Sequence, residues 1–163
     1  MISKAITGKT FSGACRYICK DQNRAVILKT EGVRDYDQKM MAKNFETQHQ
    51  LNPNLHKAVF HGILSFYPGE KVTDATMVEI AEKYPDELKI TNTQYVITKH
   101  IDKSHQHLHI LANLVNNDVQ RLTIWKSNWR RMALKQYTNT KAKQRNYKVL
   151  VLALENLNTR AVK

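Results

Sequence analysis

Hydrophobic and polar positions along this chain follow two periods, which alternate from segment to segment. Residues 2–6 alternate weakly, as a short strand does. Over residues 10–19 the period lengthens: Phe11, Ala14, Cys15 and Ile18 fall on one helical face, Tyr17 falls off it, and Thr10 or Ser12 stands ready as a cap. Residues 24–29 read as a strand. Residues 35–50 read as a helix, with Met40, Met41, Phe45 and His49 at its spacing, broken by Asn52-Pro53-Asn54. Residues 57–66 form a strong strand signal that stops at the turn Pro68-Gly69. Thr73 caps a helix whose apolar positions are Met77, Ile80 and Ala81, and Pro85 ends it at Tyr84. Residues 93–99 and 106–115 read as strands, followed by a turn at Asn116-Asn117-Asp118. Two further helices are predicted over 123–137 and 149–157. Strands and helices interleaved in this way specify an α/β domain in which helices pack on an antiparallel or mixed sheet.

The size of the chain, 163 residues with 42% hydrophobic content, suits one ordinary domain with a real core. No apolar run is long enough for a transmembrane helix, and the first ten residues lack the pattern of a secretory leader, so a cytoplasmic address is expected. Cys15 and Cys19 are the two cysteines, one helical turn apart with no further thiolate to complete a zinc shell; they read as small buried apolar residues.

Charge changes the picture. The formal net charge is +12, and residues 121–163 hold eleven lysines and arginines against one acid, Glu155. Trp125, Trp129, Tyr137 and Tyr147 interleave with those cations. Aromatic faces stack on unpaired bases while cations hold phosphates, so a single-stranded nucleic acid is the expected partner. Arg121, Lys126, Arg130 and Arg131 are the basic residues assigned to it.

The densest chemistry lies between His100 and His109, a ten-residue stretch with four of the seven histidines. Side chains alternate along a strand, so His105, His107 and His109 share a face with Leu111 and Asn113. The opposite face, Leu108, Ile110, Ala112 and Leu114, is wholly apolar and belongs against helices. A pair of imidazoles two residues apart on a strand can grip one ion, and His100 is placed to reach back as a third ligand. Asp102 can fix an imidazole tautomer. Structural zinc usually closes its shell with cysteine, and none is near; an open three-histidine site is what a catalytic ion needs.

Three stretches, in order, resemble the motifs of a known family. They are Gly8-Lys9-Thr10-Phe11-Ser12-Gly13-Ala14-Cys15-Arg16-Tyr17-Ile18, then His61-Gly62-Ile63-Leu64-Ser65-Phe66-Tyr67-Pro68-Gly69-Glu70-Lys71, and then His100-x-Asp102-x4-His107-x-His109-x3-Asn113. Leu51-Asn52-Pro53 resembles a further loop. Together they resemble the relaxases, or mobilization nucleases, a branch of the His-hydrophobic-His endonucleases of conjugative plasmids and mobile elements. The resemblance implies a central antiparallel sheet with helices packed mainly on one face, and the helix of Tyr17 over the histidine strands. It implies residues 1–140 as the nuclease domain, with 141–163 as a basic helical extension and a boundary at which longer relatives continue.

The resemblance also implies roles. Tyr17 attacks the scissile phosphate, His100, His107 and His109 hold a divalent cation, Asp102 orients an imidazole, and Ser65 positions the strand, with His105 facing DNA or supporting the ligands. The product is a 5′-phosphotyrosine and a free 3′-hydroxyl at the nic site of an origin of transfer, religated later during conjugative mobilization. Magnesium or manganese is implied by the family, while three neutral nitrogens also suit zinc or nickel. Relaxosome accessory proteins are the implied partners. A phenol, with a pKa near ~10, needs activation at neutral pH, and a cation on the phosphate offsets the charge that develops. Tyr95, on the strand entering the histidine segment, is the competing nucleophile. The alternatives are a rolling-circle initiator or transposase of the same superfamily, where the histidine pair usually precedes the tyrosine, and a non-catalytic single-stranded DNA-binding module. Lys103 and Ser104 stand where the family often has a second acid or threonine.

Overall fold

The computed structural model describes residues 2–19 and 24–124. Eight elements follow one another: β1 (Ile2–Gly8), α1 (Phe11–Ile18), β2 (Ala25–Glu31), α2 (Gln38–His49), β3 (Val59–Ser65), α3 (Asp74–Glu87), β4 (Tyr95–His100) and β5 (His107–Asn113). The strands form one antiparallel sheet in the order β1-β3-β5-β4-β2. This is an α+β fold with the histidine strands at its centre, as the sequence pattern and the family resemblance imply. No helix among the described residues is long and apolar enough to cross a membrane.

Every residue of β5 is buried, because it pairs on both edges and is covered on both faces. On one face Phe60, Gly62 and Leu64 of β3 align with Ala112, Ile110 and Leu108 of β5. Helix α3 covers them with Met77, Ile80, Ala81 and Tyr84, all fully buried. A side chain at Gly62 would meet Tyr84 Cε1 at 3.3 Å, so the glycine makes room for that ring. Tyr95 lies on this face, and its hydroxyl donates to Glu82 of α3 at 2.8 Å.

The opposite face is capped by α1 and α2, which pack on each other. Their seam is the stacked pair Phe11 and Phe45, ring centroids 4.9 Å apart. Asn113, wholly buried at the end of β5, ties the sheet to α2. It donates to the Phe45 carbonyl at 2.9 Å and accepts from the Val115 amide at 3.0 Å. Satisfied on both sides, its buried amide costs little.

Local differences from the sequence reading have identifiable causes. Helix α2 starts at Gln38 rather than residue 35, because the Asp37 carboxylate accepts from the Lys39 and Met40 amides and so fixes the N-terminus. Thr10 occupies the N-cap of α1 without a side-chain cap hydrogen bond, whereas Thr73 caps α3 through the Thr76 amide. Pro85 does not end α3. The ring removes one backbone donor, but the last turn is held by Leu88 N–H on the Pro85 carbonyl, and the chain leaves through Lys89 at φ 62°. Of the helix predicted over 123–137, residues 123–124 are not helical and the rest lies outside the described residues, as do the helix predicted over 149–157 and the extension 141–163.

Candidate active site

Register explains why three histidines meet. The hairpin of β4 and β5 sets His100 directly opposite His107, and His109 follows two residues along the same face, opposite Thr98. The His100 and His109 rings approach to 4.1 Å between centroids, with His107 at 5.4 Å from His100 and 5.5 Å from His109. One nitrogen from each ring lies within 4.8 Å of the other two, and all three residues are buried.

The partners of the remaining ring nitrogens test whether this cluster suits a cation. A carbonyl oxygen only accepts, so His100 Nε2–H donates to the Ile18 carbonyl at 2.9 Å and its Nδ1 carries the lone pair. In the same way His107 Nδ1–H faces the His105 carbonyl at 3.4 Å, while its Nε2 is turned to the cleft, 3.4 Å from Asp102 Oδ1. His109 Nδ1 lies 2.8 Å from His61 Nε2, and its Nε2 is buried without a hydrogen-bond partner. Metal-ligating histidines are held in this manner, with the outer nitrogen fixed by an acceptor and the inner one turned to the ion. A buried nitrogen lacking a partner is the position a cation would satisfy.

Burial disfavours the charged form of His109, His61 and His107. Burial, reinforced by the neighbouring imidazoles, pushes the His109 pKa down to about 2, and burial together with His100 and Lys4 pushes His61 to about 4. His107 is lowered chiefly by burial, opposed by the His105 carbonyl and the Asp102 carboxylate. Neutral imidazoles bind metal without first releasing a proton. Asp102 sits 3.4 Å from His107 Nε2 and ion-pairs with Arg24, whose guanidinium holds the carboxyl below its ordinary range. Asp102 therefore stands beside His107 rather than His100.

Helix α1 delivers the phenol. Phe11, Cys15 and Ile18 are buried on its inner stripe, which leaves Tyr17 off the stripe and 53% exposed. The Tyr17 ring stands 5.4 Å from His109, 5.7 Å from His61 and 6.2 Å from His100. Tyr17, Ser65, Asp102 and the three histidines line one cleft of about 220 Å³, together with Arg24 and Lys103. A larger hollow of about 400 Å³, lined by His56, Lys57 and Arg121 among others, lies toward the opposite end of β5, away from the histidine cluster. The smaller cleft is the candidate site because it gathers the imidazoles and the phenol.

The other sequence-assigned residues divide. Tyr95 is on the far face of the sheet, so it does not share the cleft. His105 precedes β5, outside the strand alternation expected of it, with its ring 5.6 Å from His107 and not on the cleft wall. Arg121 lines the other hollow. Lys126, Arg130 and Arg131 lie outside the described residues.

Two residues at the cluster, His61 and Arg24, fall outside the site residues that the sequence pattern marks. His61 was legible in principle: His61, Ile63 and Ser65 share a strand face, so assigning Ser65 to the site carries His61 with it. Arg24 was not, since its pairing with Asp102 joins positions 78 residues apart.

Comparison with known proteins agrees with this geometry. The sequence matches the family described as Relaxase: MobA/VirD2-like, nuclease domain, over residues 17–154, a span that opens at Tyr17 and contains every histidine of the cluster. No curated protein and no solved structure matches the chain. With most of its length covered by that match, the chain belongs to the MobA/VirD2-like relaxase nuclease-domain family.

Proposed function

We propose that this relaxase nicks one DNA strand at the nic site of an origin of transfer by tyrosine transesterification. The observation that carries the reading is the placement of an exposed phenol, Tyr17, 5.4 Å from His109 across a cleft lined by His100, His107 and His109. In this reading the Tyr17 phenol oxygen attacks the scissile phosphorus, the bond from phosphorus to the 3′ oxygen breaks, and the phenol proton is lost as the 3′ hydroxyl gains one. The 5′-phosphotyrosine keeps the phosphodiester energy for later religation. His100, His107 and His109 would hold a divalent cation, magnesium or manganese, with zinc or nickel also suited to the nitrogens. When bound, that ion offsets charge developing on the phosphate. Arg24 and Lys103 supply positive charge at the cleft, and Ser65 a hydroxyl on its wall. Asp102, paired with Arg24, adds a carboxylate beside His107 Nε2 at the cation position. Residues 1–140 are read as the nuclease domain, 141–163 as a basic extension toward DNA, and relaxosome proteins as partners.

The test is cleavage of single-stranded oligonucleotides spanning transfer origins, by wild type and Tyr17→Phe, with manganese and with chelator. A covalent protein–DNA adduct formed only by the wild type with metal supports the reading. Tight DNA binding without an adduct on any origin points instead to a non-catalytic binding module. An adduct that survives Tyr17→Phe removes Tyr17 as the nucleophile.

A further inference from the structure

The three histidines of the cleft differ in what holds their outer nitrogen. His100 and His107 face backbone carbonyls, which accept and nothing else. His109 faces another imidazole, His61, at 2.8 Å, and an imidazole nitrogen either donates or accepts. The direction of this one bond decides whether His109 can serve an ion. If His61 Nε2 carried the hydrogen, His109 would be protonated on Nε2, burying an N–H without an acceptor in the middle of the cluster. If His109 Nδ1 carries it, Nε2 presents a lone pair toward the other two histidines.

We infer that His61 is a positioning residue: it accepts the Nδ1–H of His109 and so holds His109 in the tautomer whose Nε2 faces the cation. This rests on the proposed function, in which the histidine cluster binds a divalent ion. The backbone supports the assignment independently of the ion. His61 lies on β3 and His109 on β5, neighbours near the centre of the sheet, where pairing sets the Cα positions of both strands. Ile6 of β1 pairs with His61 on the other side, so the acceptor is flanked by strands on both edges. His61 also stands 5.7 Å from the Tyr17 ring, so a change in its orientation is felt by both the ligand and the phenol.

The experiment uses the full chain. Imidazole 15N spectra of the metal-free protein at pH 7.5, assigned with a His109→Gln variant, report which His109 nitrogen carries hydrogen. Titration calorimetry with manganese chloride then compares wild type, His61→Leu and His61→Gln. Wild-type His109 is expected to be protonated on Nδ1. His61→Leu is expected to bind manganese about 10–100-fold more weakly, the usual loss when a ligand's outer partner is removed. His61→Gln, whose side-chain oxygen can accept the same hydrogen, is expected to stay within about threefold of wild type, a rescue that a purely structural role would not give. His109 protonated on Nε2 in the wild type overturns the inference. So does manganese binding by His61→Leu at wild-type strength while His109→Gln loses it. If the wild type takes up no manganese, the cation site of the proposed function falls and the role of His61 toward it falls too. The wild-type manganese isotherm distinguishes that case from one in which the ion binds and His61 is idle.

Discussion

His100 Nε2 donates to the backbone carbonyl of Ile18 at 2.9 Å, which joins a strand histidine to the last turn of the helix that carries Tyr17. The final carbonyls of a helix have no partner within it, so the imidazole satisfies one of them. The same bond leaves His100 Nδ1 free for an ion. Loss of this side chain should therefore loosen α1 as well as the cluster. His100→Ala is expected to cost about 1 kcal/mol of stability and to raise amide exchange across residues 11–19. His107→Ala, which has no contact of this kind with α1, should leave that exchange unchanged. Equal exchange in the two variants would show that the His100 bond does not anchor the helix.

Arg24 lines the cleft, and its side chain is about half exposed while pairing with Asp102. A cation in that position can take a phosphate of the bound strand. Arg24→Ala should weaken binding of single-stranded DNA and reduce the slope of log affinity against log salt by about 0.7, the contribution of one phosphate contact on a single strand. Fluorescence anisotropy at several salt concentrations measures it. An unchanged slope with reduced affinity would mean that Arg24 acts only through Asp102.

The depressed histidines make stability depend on pH in a definite direction. His61 and His109 stay neutral in the folded chain down to about pH 4 and about pH 2, against an ordinary value of 6.5. Below about pH 6.5 the unfolded chain binds protons that the folded chain refuses, so stability falls with falling pH until the folded values are reached. His61 alone accounts for on the order of 3 kcal/mol over that window. Urea unfolding of the chelator-treated protein at pH 7.5, 6 and 5 should show steadily lower midpoints. A flat profile across that range would mean the buried rings are not neutral.

Asn113 supports the fold away from the cleft. With its Nδ2 on the Phe45 carbonyl and its Oδ1 on the Val115 amide, Asn113→Ala leaves the buried Val115 N–H without its acceptor and takes a second donor from the Phe45 carbonyl. The expected loss is about 1–3 kcal/mol by chemical denaturation. Manganese affinity of the folded fraction should hold, because Asn113 lies at the opposite end of β5 from His107. A loss below about 0.5 kcal/mol would show that water replaces the amide without cost.

What the sequence discloses here depends on distance along the chain. The alternation of β5, the off-stripe position of Tyr17 and the Thr73 cap are local patterns and were readable. That His107 and His109 share one face follows from period two alone. Bringing His100 to them requires only a hairpin, because its partner is seven residues away. His61 requires knowing that β3 lies beside β5, and Arg24 requires knowing where β2 begins; neither follows from spacing. Pro85 misleads because a proline rule describes one hydrogen bond, while the buried side of α3 carries the helix through it.

The strand order has a consequence for how this enzyme comes to exist. β1 pairs with β3 and β2 with β4, and no pairing joins these two ribbons until β5 enters between them. As a ribosome releases the chain, Tyr17 and His61 belong to one half and His100 to the other, and both halves wait for the strand that brings His107 and His109. Contacts that close so late in the sequence are slow to form and mutually dependent. The complete cleft thus arrives with the last seam of the sheet. A nascent or half-folded chain carries the Tyr17 phenol without the histidine cluster beside it.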